Sequence, residues 1–600
     1  MAKRTLFEWL NGYDFGDQNS SGKKFCVEQI TGSANKISLL RAGKYVSKFF
    51  ESLTNVISYT PSRTYGAFLS AFGALSLVLH FVLDYFGTHA EISLTTIILS
   101  SVLALLGLPF LVSGKPLSIA LQSNTVTDFI FFEFFCIRRM HKTDNVKGVA
   151  PYVGVILGIG LAGLSAVIPI WILSLSFAVG TYLFLTFLSP EFSFFSIFII
   201  MPYLSFDKDG VFLAVLVAVT LISYARKVSL GKRVYYFEQY DIGLFAMLLC
   251  ILISGIFVKG VESFVSSVVM ILLGMGYVLS SSLVTNRRLA DCLINAVIIS
   301  SLPVSVIAIV ESVIDISKNG ITGFEGASAT FDKPYLLAIF LLVSVAFSVY
   351  FVDVRRNRAV KVLYFIITVI NFTALISTKS FWIFGALLIG SLAYLVQKMR
   401  HGSGIFLLLL SMLAYVLLFL PSKQVDILAS NEILKALGFA DSIERWRISI
   451  LMLRDNLFLG VGIGSDSFIK EIAKYSASFD YHNSGSFLLE IACEAGAISL
   501  CFFLMLYFIR LRHRGIYQPY VKNSQVSKIS SYTTVITVML IVYGTFNYIW
   551  ADMTTYYLFW CVFGLGSATL RVAKHEFDDR VAYFSDGSAE DSSSIDISIK

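Results

Sequence analysis

Long apolar segments alternate with short polar connections along most of this 600-residue chain. Sixteen such segments, the first at 65–86 and the last at 553–572, approach the roughly 20 residues that a helix needs to cross a bilayer. Helices are expected because lipid offers no partners for free backbone groups. The pattern predicts an all-α polytopic membrane protein with roughly 12–16 transmembrane helices.

Polar stretches divide the chain further. Residues 1–63 carry nine Lys and Arg against five Asp and Glu and lack a long apolar run, which predicts a cytoplasmic N-terminal segment before the transmembrane helices of 64–420. Residues 421–485, with seven Lys and Arg and eight Asp and Glu, form the one long hydrophilic loop. Transmembrane helices resume over 486–572, and the acidic, Ser-rich 573–600 is predicted to be a disordered tail. The mixed stretch 117–137 predicts an interfacial helix.

Basic residues set the predicted orientation, since cytoplasmic loops of membrane proteins are enriched in Lys and Arg. With the N-terminus inside, clusters of Arg and Lys fall in cytoplasmic connections and only isolated lysines fall outside. The clusters begin at Arg138, Arg226, Arg355, Lys398 and Arg510. This asymmetry predicts that both termini are cytoplasmic and that 421–485 lies on the outer side.

Composition narrows the possible functions. The chain is 56% hydrophobic and only 14% charged, whereas about a quarter of the residues of a soluble protein are charged. Its net charge of +7 forms no basic stripe, so nucleic acid is not a predicted partner. Seven cysteines without a CxxC pair predict neither a disulfide framework nor a Cys-built metal site. The absence of a phosphate-binding GxxxxGK motif argues against ATP-driven work.

Arginines in the stretch ERWRISILMLRDN of the outer loop are candidate anion ligands. Arg447 and Arg454 would share one face of a helix, and Arg445 would point elsewhere. A guanidinium group facing the membrane surface suits phosphate or diphosphate, because its planar fork holds two oxygens. The alternative is headgroup contact, or salt bridges to Glu444 and Asp455.

Alternating glycines follow in LFLGVGIGSDSF, residues 457–468. Glycine lets a backbone turn tightly or approach another group closely. The spacing differs from the dinucleotide-binding GxGxxG, and no strand is predicted before it. We interpret it as a loop at the membrane surface, in preference to a phosphate cradle.

Ionisable residues also enter the next span, in YHNSGSFLLEIACEAG, residues 481–496. His482 could accept or position a hydroxyl proton. Glu490 and Glu494 share one helix face, and ionisable groups at membrane depth commonly mark a functional site. A structural histidine and a favourable helix-dipole contact for Glu490 are the alternatives. A titratable ring and two carboxylates at the bilayer edge, where burying charge is costly, call for an explanation.

The order of these motifs resembles the signature of the O-antigen ligase and O-antigen polymerase family of bacterial membrane glycosyltransferases. An Arg/Trp helix, a GvG turn, a His-Asn pair and an E-x-G entering a span occur in the same order. Fainter likenesses are GASATFDKPYLLAIFLL (326–342) and ALISTKSFWIFGALLIG (374–390). The chain departs from the family pattern at Leu457, where Pro is usual, and at Phe381, where Arg is usual; Lys379 lies nearby. The interval from His482 to Glu494 is also longer than the common form.

The resemblance implies a GT-C-like fold and transfer of a glycan from a polyprenyl diphosphate to an acceptor hydroxyl. It implies catalysis by His482 and Glu490, and substrate binding by a further set of polar residues. That set is Arg445, Arg447, Lys379, Asn483 and Glu494. No metal or cofactor is required, because cationic side chains would stabilise the diphosphate. The expected partners are the lipid-linked donor, a glycan or lipid acceptor and membrane lipids, and the expected location is the bacterial cytoplasmic (inner) membrane.

Two questions stay open at the level of sequence. A polymerase joins repeat units and a ligase caps an acceptor, and the sequence does not separate them. A lipid-linked glycan flippase or another membrane transporter is the alternative function, although internal repeats and matching broken helices, which are common in transporters, are not evident. An inactive membrane scaffold is a third reading, which the dense charged loop disfavours.

Overall fold

A computed structural model gives the architecture of the chain. It describes residues 41–86, 93–135, 137, 149–204, 210–229, 233, 235–236, 241–257, 261–324, 326–397, 439–475, 483–521, 525–550 and 552–587. These residues are mostly helical and contain no β-strand. The helices are α1 (Arg41–Tyr59), α2 (Ser62–Tyr85), α3 (Leu94–Val112), α4 (Leu117–Ser123), α5 (Pro151–Leu164), α6 (Ile170–Leu188), α7 (Pro190–Ile200), α8 (Val211–Ser229), α9 (Asp241–Phe257), α10 (Val261–Gly274), α11 (Gly276–Leu283), α12 (Arg287–Gly323), α13 (Pro334–Val354), α14 (Arg358–Ser377), α15 (Trp382–Gln397), α16 (Phe439–Asp455), α17 (Ser465–Ile472), α18 (Phe487–Val521), α19 (Gln525–Phe546) and α20 (Met553–Gly587).

The prediction of an all-α, multi-pass membrane protein is confirmed. Within the described ranges, ten helices are long and apolar enough to cross a membrane, and shorter apolar helices accompany them. Every predicted segment except 404–420 coincides with a helix, and 404–420 lies outside the described residues.

Two boundaries differ from the sequence prediction. The last helix continues to Gly587, so the first part of the predicted disordered tail is helical. Its residues 573–582, AKHEFDDRVA, mix good helix formers with charge, and a spanning helix that is already nucleated extends through them at little cost. The mixed stretch 117–137 forms α4, one further helical turn and a π-helix over Asp128–Phe134, where a single interfacial helix is predicted.

The described residues form two compact units. One comprises 1–195 with 219–234, and the other comprises 196–218 with 235–600. In the first unit, α2 packs closely on α3 and α5 because glycines line the contacts. A Cβ on Gly66 would lie 2.6 Å from the backbone nitrogen of Leu111, so the close approach of α2 and α3 requires glycine there.

The second unit is held in part by polar side chains between α12, α13 and α14. The Asn371 amide accepts a hydrogen bond from Ser305 Oγ at 2.7 Å and donates to Ser344 Oγ at 3.0 Å and to Ser301 Oγ at 3.1 Å. All four side chains are buried. Hydrogen bonds of this kind join helices in lipid, where apolar surface alone gives little driving force.

Charged residues gather at one end of these helices. At the Arg-rich end, Asp291 accepts a hydrogen bond from Tyr350 at 3.2 Å and lies 3.7 Å from a guanidinium nitrogen of Arg355. Lys528, near the start of α19, lies 3.2 Å from Asp353, near the end of α13. The 21 residues of α13 span roughly 30 Å, about the thickness of the hydrocarbon core. The opposite ends of α13, α14 and α19 therefore lie one bilayer away from this charged end.

We predict that Asn371→Ala destabilises the protein, because it removes the group that links three helices and leaves buried hydroxyls with fewer partners. The expected loss in the free energy of unfolding is about 1–2 kcal/mol. Thermal unfolding of the purified protein in detergent measures it. Asn319→Ala is the matched control, since Asn319 is exposed and its side chain donates to the nearby Asp315. Equal unfolding temperatures for the two variants would contradict the prediction.

Candidate functional site

A cavity of about 300 Å³ opens at the end of the second unit that lies away from the charged end. It lies where α13 and α15 begin and α14 and α19 end, with α16 across it. Its walls are Pro334, Tyr335, Thr378, Lys379, Ser380, Phe381, Trp382, Ser442, Arg445, Phe546 and Asn547. The cavity combines two cationic side chains, four hydroxyl groups and aromatic rings, which is the chemistry of a site for an anionic, partly apolar ligand.

Lys379 lies in the tight turn between α14 and α15. Its backbone has φ of 52°, in the left-handed region that costs a non-glycine residue of order 1–3 kcal/mol. Its ammonium group donates to the carbonyl of Phe324 and lies 4.8 Å from the centre of the Phe324 ring. The Lys379 side chain also lines the cavity. Next to it, Ser380 Oγ lies 2.5 Å from the Tyr543 hydroxyl.

A second segment holds this turn in place. The backbone nitrogen of Ala327 donates to the carbonyl of Ser377 at 3.0 Å, and a Cβ on Gly326 would lie 2.6 Å from the carbonyl oxygen of Thr378. The carboxylate of Glu311, on α12, accepts from the backbone nitrogen of Ala329 at 2.7 Å. The position of Lys379 thus depends on α12 as well as on its own turn.

Arg445 enters the cavity from α16. Its guanidinium lies against the backbone of Gly485, where a Cβ would be 3.0 Å from Arg445 Cζ. Gly485 has φ of 71°, a second reason why glycine is required. Arg445 also interacts electrostatically with Glu490 of α18. The arginine therefore joins the cavity to the segment that follows the predicted catalytic histidine.

Aromatic rings form one wall. Trp382 stacks on Phe546 with ring centres 3.9 Å apart and planes 5° apart, and Trp446 packs on the same Phe546 at 5.8 Å. Tyr335 stands opposite, with the Lys333 ammonium 6.0 Å from its ring centre. These rings give an apolar surface beside the two cations.

The segment entering α18 is fixed by Glu490. This buried carboxylate accepts a hydrogen bond from the backbone nitrogen of Ser484 at 2.6 Å. Asn483 accepts from the backbone nitrogen of Gly485 at 3.0 Å, which closes the turn. Glu490 thus holds the two residues that follow His482. His482 itself lies outside the described residues.

The glycine turn, residues 457–464, packs against a break in α18 and supplies the hydrogen-bond partners that the break removes. Gly496 has φ of 85°, so Ala497 cannot donate to the carbonyl of Cys493 as in a regular helix. The turn supplies both missing partners, since Ala497 N donates to Leu457 O at 2.9 Å and Val461 N donates to Cys493 O at 2.8 Å. The predicted surface loop is therefore packed against a membrane-spanning helix.

Glu494 closes the same contact. Its side chain accepts from Gly464 N at 3.0 Å, and its carbonyl accepts from Gly462 N at 3.2 Å and from Ser254 Oγ at 2.6 Å. It is buried and lies against the glycine turn.

The structure separates the predicted site residues into groups. Lys379 and Arg445 line one cavity, and Asn483 and Glu490 form the adjoining turn. Glu494 belongs to the glycine turn, and Arg447 is exposed on α16 two residues from Arg445. Tyr335, Trp382 and Phe546 were not predicted. The only signal for them is that Tyr335 and Trp382 fall inside the two fainter stretches of family resemblance.

Comparison with known proteins adds no assignment: no family model and no curated protein sequence matches the chain. Within the described residues, no three His, Cys, Asp or Glu side chains cluster closely enough to hold a metal ion. The chemistry of the cavity must therefore be argued from the side chains that line it.

Substitution of Gly460 should destabilise the contact between the turn and α18. Gly460 has φ of 70°, and an added Cβ would collide with the Glu494 carbonyl. We expect Gly460→Ala to cost about 1–3 kcal/mol from backbone strain alone. The control is Gly385→Ala on α15, where a Cβ has open space and helix propensity favours alanine. Unfolding temperatures in detergent should fall for the first variant only, and an unchanged value for Gly460→Ala would refute the contact.

Loss of the Glu490 carboxylate should leave a buried N–H group unpaired. We expect Glu490→Ala to lower the free energy of unfolding by about 1–3 kcal/mol, and Glu490→Gln to cost less because its amide oxygen still accepts from Ser484. Glu262→Gln, at an exposed position, controls for loss of charge. Chemical denaturation in detergent gives the ranking, and equal effects of Gln and Ala at residue 490 would argue against this hydrogen bond.

Proposed function

We propose that the protein is a membrane glycosyltransferase that moves a glycan from a polyprenyl diphosphate to an acceptor hydroxyl at the outer face of a bacterial cytoplasmic membrane. The product would be a polymerised cell-surface polysaccharide or a ligated glycan of the O-antigen type. The observation that supports it most is the pairing of Lys379 with Arg445 in one cavity of about 300 Å³. The two cations come from segments more than sixty residues apart. The resemblance marks Arg445, and Lys379 lies two residues before Phe381, where the family pattern usually has Arg.

The cavity suits a diphosphate in charge and in donors. A guanidinium fork and an ammonium group, with the hydroxyls of Thr378, Ser380 and Ser442 beside them, can engage several phosphate oxygens. The diphosphate is the leaving group, so preorganised positive charge lowers the barrier as negative charge develops on it. The aromatic wall of Trp382 and Phe546 offers an apolar surface to the remainder of an amphiphilic ligand.

Catalytic roles follow from position in the chain. His482 would act as the base or orienting group for the acceptor hydroxyl, as the resemblance implies. Glu490 and Asn483 would position the turn that carries it, because Glu490 binds the Ser484 amide and Asn483 binds the Gly485 amide. Glu494 would act indirectly: it binds the glycine turn, and the turn fixes the position of α16 and therefore of Arg445.

Glycan transfer by the purified protein in detergent tests the proposal, with a glycan on a polyprenyl diphosphate as donor. Arg445→Ala should lower kcat/KM by roughly 100-fold, with partial recovery in Arg445→Lys, because a point charge replaces the fork. Lys470→Ala, exposed on α17, is the matched charge-removal control. Full activity of both Arg445→Ala and Lys379→Ala would refute the assignment of the cavity.

A separate measurement distinguishes the transporter alternative. Reconstituted vesicles are assayed for movement of the lipid-linked glycan across the bilayer, with and without a proton or sodium gradient. A transferase should form product in detergent, where no gradient exists. Gradient-dependent movement without any new glycosidic bond would favour the flippase.

A further inference from the structure

We infer that the exposed face of α16, with the turn that follows it, is a docking surface for the phospholipids of the outer leaflet, and that Arg447 and Arg454 bind headgroup phosphates there. This surface comprises Arg447, Ile450, Leu451, Arg454 and the turn Leu457–Leu459. It is distinct from the cavity, and the inference is independent of the proposed enzymatic activity.

The pattern of burial on α16 defines two faces. Ile448, Ser449 and Met452 are buried, and α16 packs on α18 through this side. Arg447, Ile450, Leu451 and Arg454 are exposed and recur at the three- and four-residue spacing of one helix face. An exposed face that mixes large apolar residues with arginine is typical of helices that lie in a membrane interface.

The turn Leu457–Leu459 fixes the depth of this face. The carbonyl of Leu457 bonds Ala497 N, and Phe458 lies against Gly496, both inside the spanning part of α18. Phe458 is 69% exposed, with exposed Leu457 and Leu459 on either side. Three consecutive large apolar side chains are thus exposed beside a transmembrane helix.

The turn is continuous with the lipid-facing side of α18. Ile498, Cys501, Met505 and Phe508 are exposed at helical spacing immediately beyond the break. At the other edge of the turn, the backbone nitrogen of Ile463 donates to Ser263 Oγ at 2.9 Å, in the first turn of α10. The apolar turn therefore lies at the boundary of the bilayer, where lipid covers it.

The positive charge of the exposed arginines favours the phosphate of the lipid headgroup as their ligand. Arg454 is 76% exposed, and its one ion pair within the described residues, to Asp455 at 3.4 Å, engages only Nε. Exposed pairs of this kind contribute little, and the terminal nitrogens stay available. Long arginine side chains at a membrane boundary reach the headgroups while their stems lie on apolar surface. The phosphates of the outer leaflet are the anions present at this depth.

Photocrosslinking in lipid nanodiscs tests the surface directly. The full-length protein carries p-benzoylphenylalanine in place of Phe458, or in place of Lys470 as the control, and mass spectrometry identifies the adducts. We expect a phospholipid adduct at position 458 and none at 470, an exposed position on α17 outside the docking surface. The absence of a phospholipid adduct at 458, or an adduct to protein instead of lipid, would overturn the inference.

A second arm tests the arginines. When the protein labelled at 458 also carries Arg447→Gln and Arg454→Gln, the yield of the phospholipid adduct should fall by about a factor of two or more. The reason is that the headgroup contacts that hold lipid against the turn are lost. Lys470→Gln should leave the yield unchanged. An unchanged yield in the double variant would remove the arginines from the lipid site. Because no step requires glycan transfer, failure here is distinguishable from failure of the proposed function.

Discussion

The arrangement of the site depends on how the break in α18 at Gly496 is satisfied. A spanning helix that loses a backbone hydrogen bond in or near lipid must find other partners, because water is not available there. Here the lost pair, Ala497 N and Cys493 O, is replaced by two bonds to the glycine turn, one to Leu457 and one from Val461. Glycine at 460 allows the turn to come close enough to make them. The break and the turn therefore require each other, and α16, which leads into the turn, is fixed by the same bonds.

Because α16 is fixed in this way, the two neighbouring arginines Arg445 and Arg447 have different surroundings. Residues two apart on a helix point about 200° away from each other. Once one side of α16 is committed to α18, Arg445 reaches Gly485 and the cavity, while Arg447 is exposed with Ile450 and Arg454. One short helix thus presents cationic groups both to the cavity and to the exposed surface.

The spans were predictable from sequence because hydrophobicity over about 20 residues is a property of each segment alone. Arg445 was identified through motif order and Lys379 through its position beside a departure from the motif, and both line the cavity. Helical spacing predicted that Arg445 points away from Arg447, and the packing of α16 shows which of the two faces meets the cavity. Tyr335 and Trp382 carry only their position inside the fainter stretches of resemblance, and Phe546 carries no signal, since 14% of the chain is aromatic. The partners of Glu490 and Glu494 were unpredictable, because both carboxylates bind backbone amides and any residue type supplies those.

The two glutamates show why carboxylates are tolerated at the bilayer edge. A buried acidic group without partners would be costly, and hydrogen bonds from backbone N–H groups offset part of that cost. Glu490 takes the Ser484 amide and Glu494 takes the Gly464 amide, so each ties an irregular segment to a regular helix. The segment bound by Glu490 contains Asn483. The segment bound by Glu494 is the turn that follows α16, the helix that carries Arg445. Each carboxylate thus fixes a backbone segment by a hydrogen bond. Together these segments determine where Arg445 contacts the residues that follow His482.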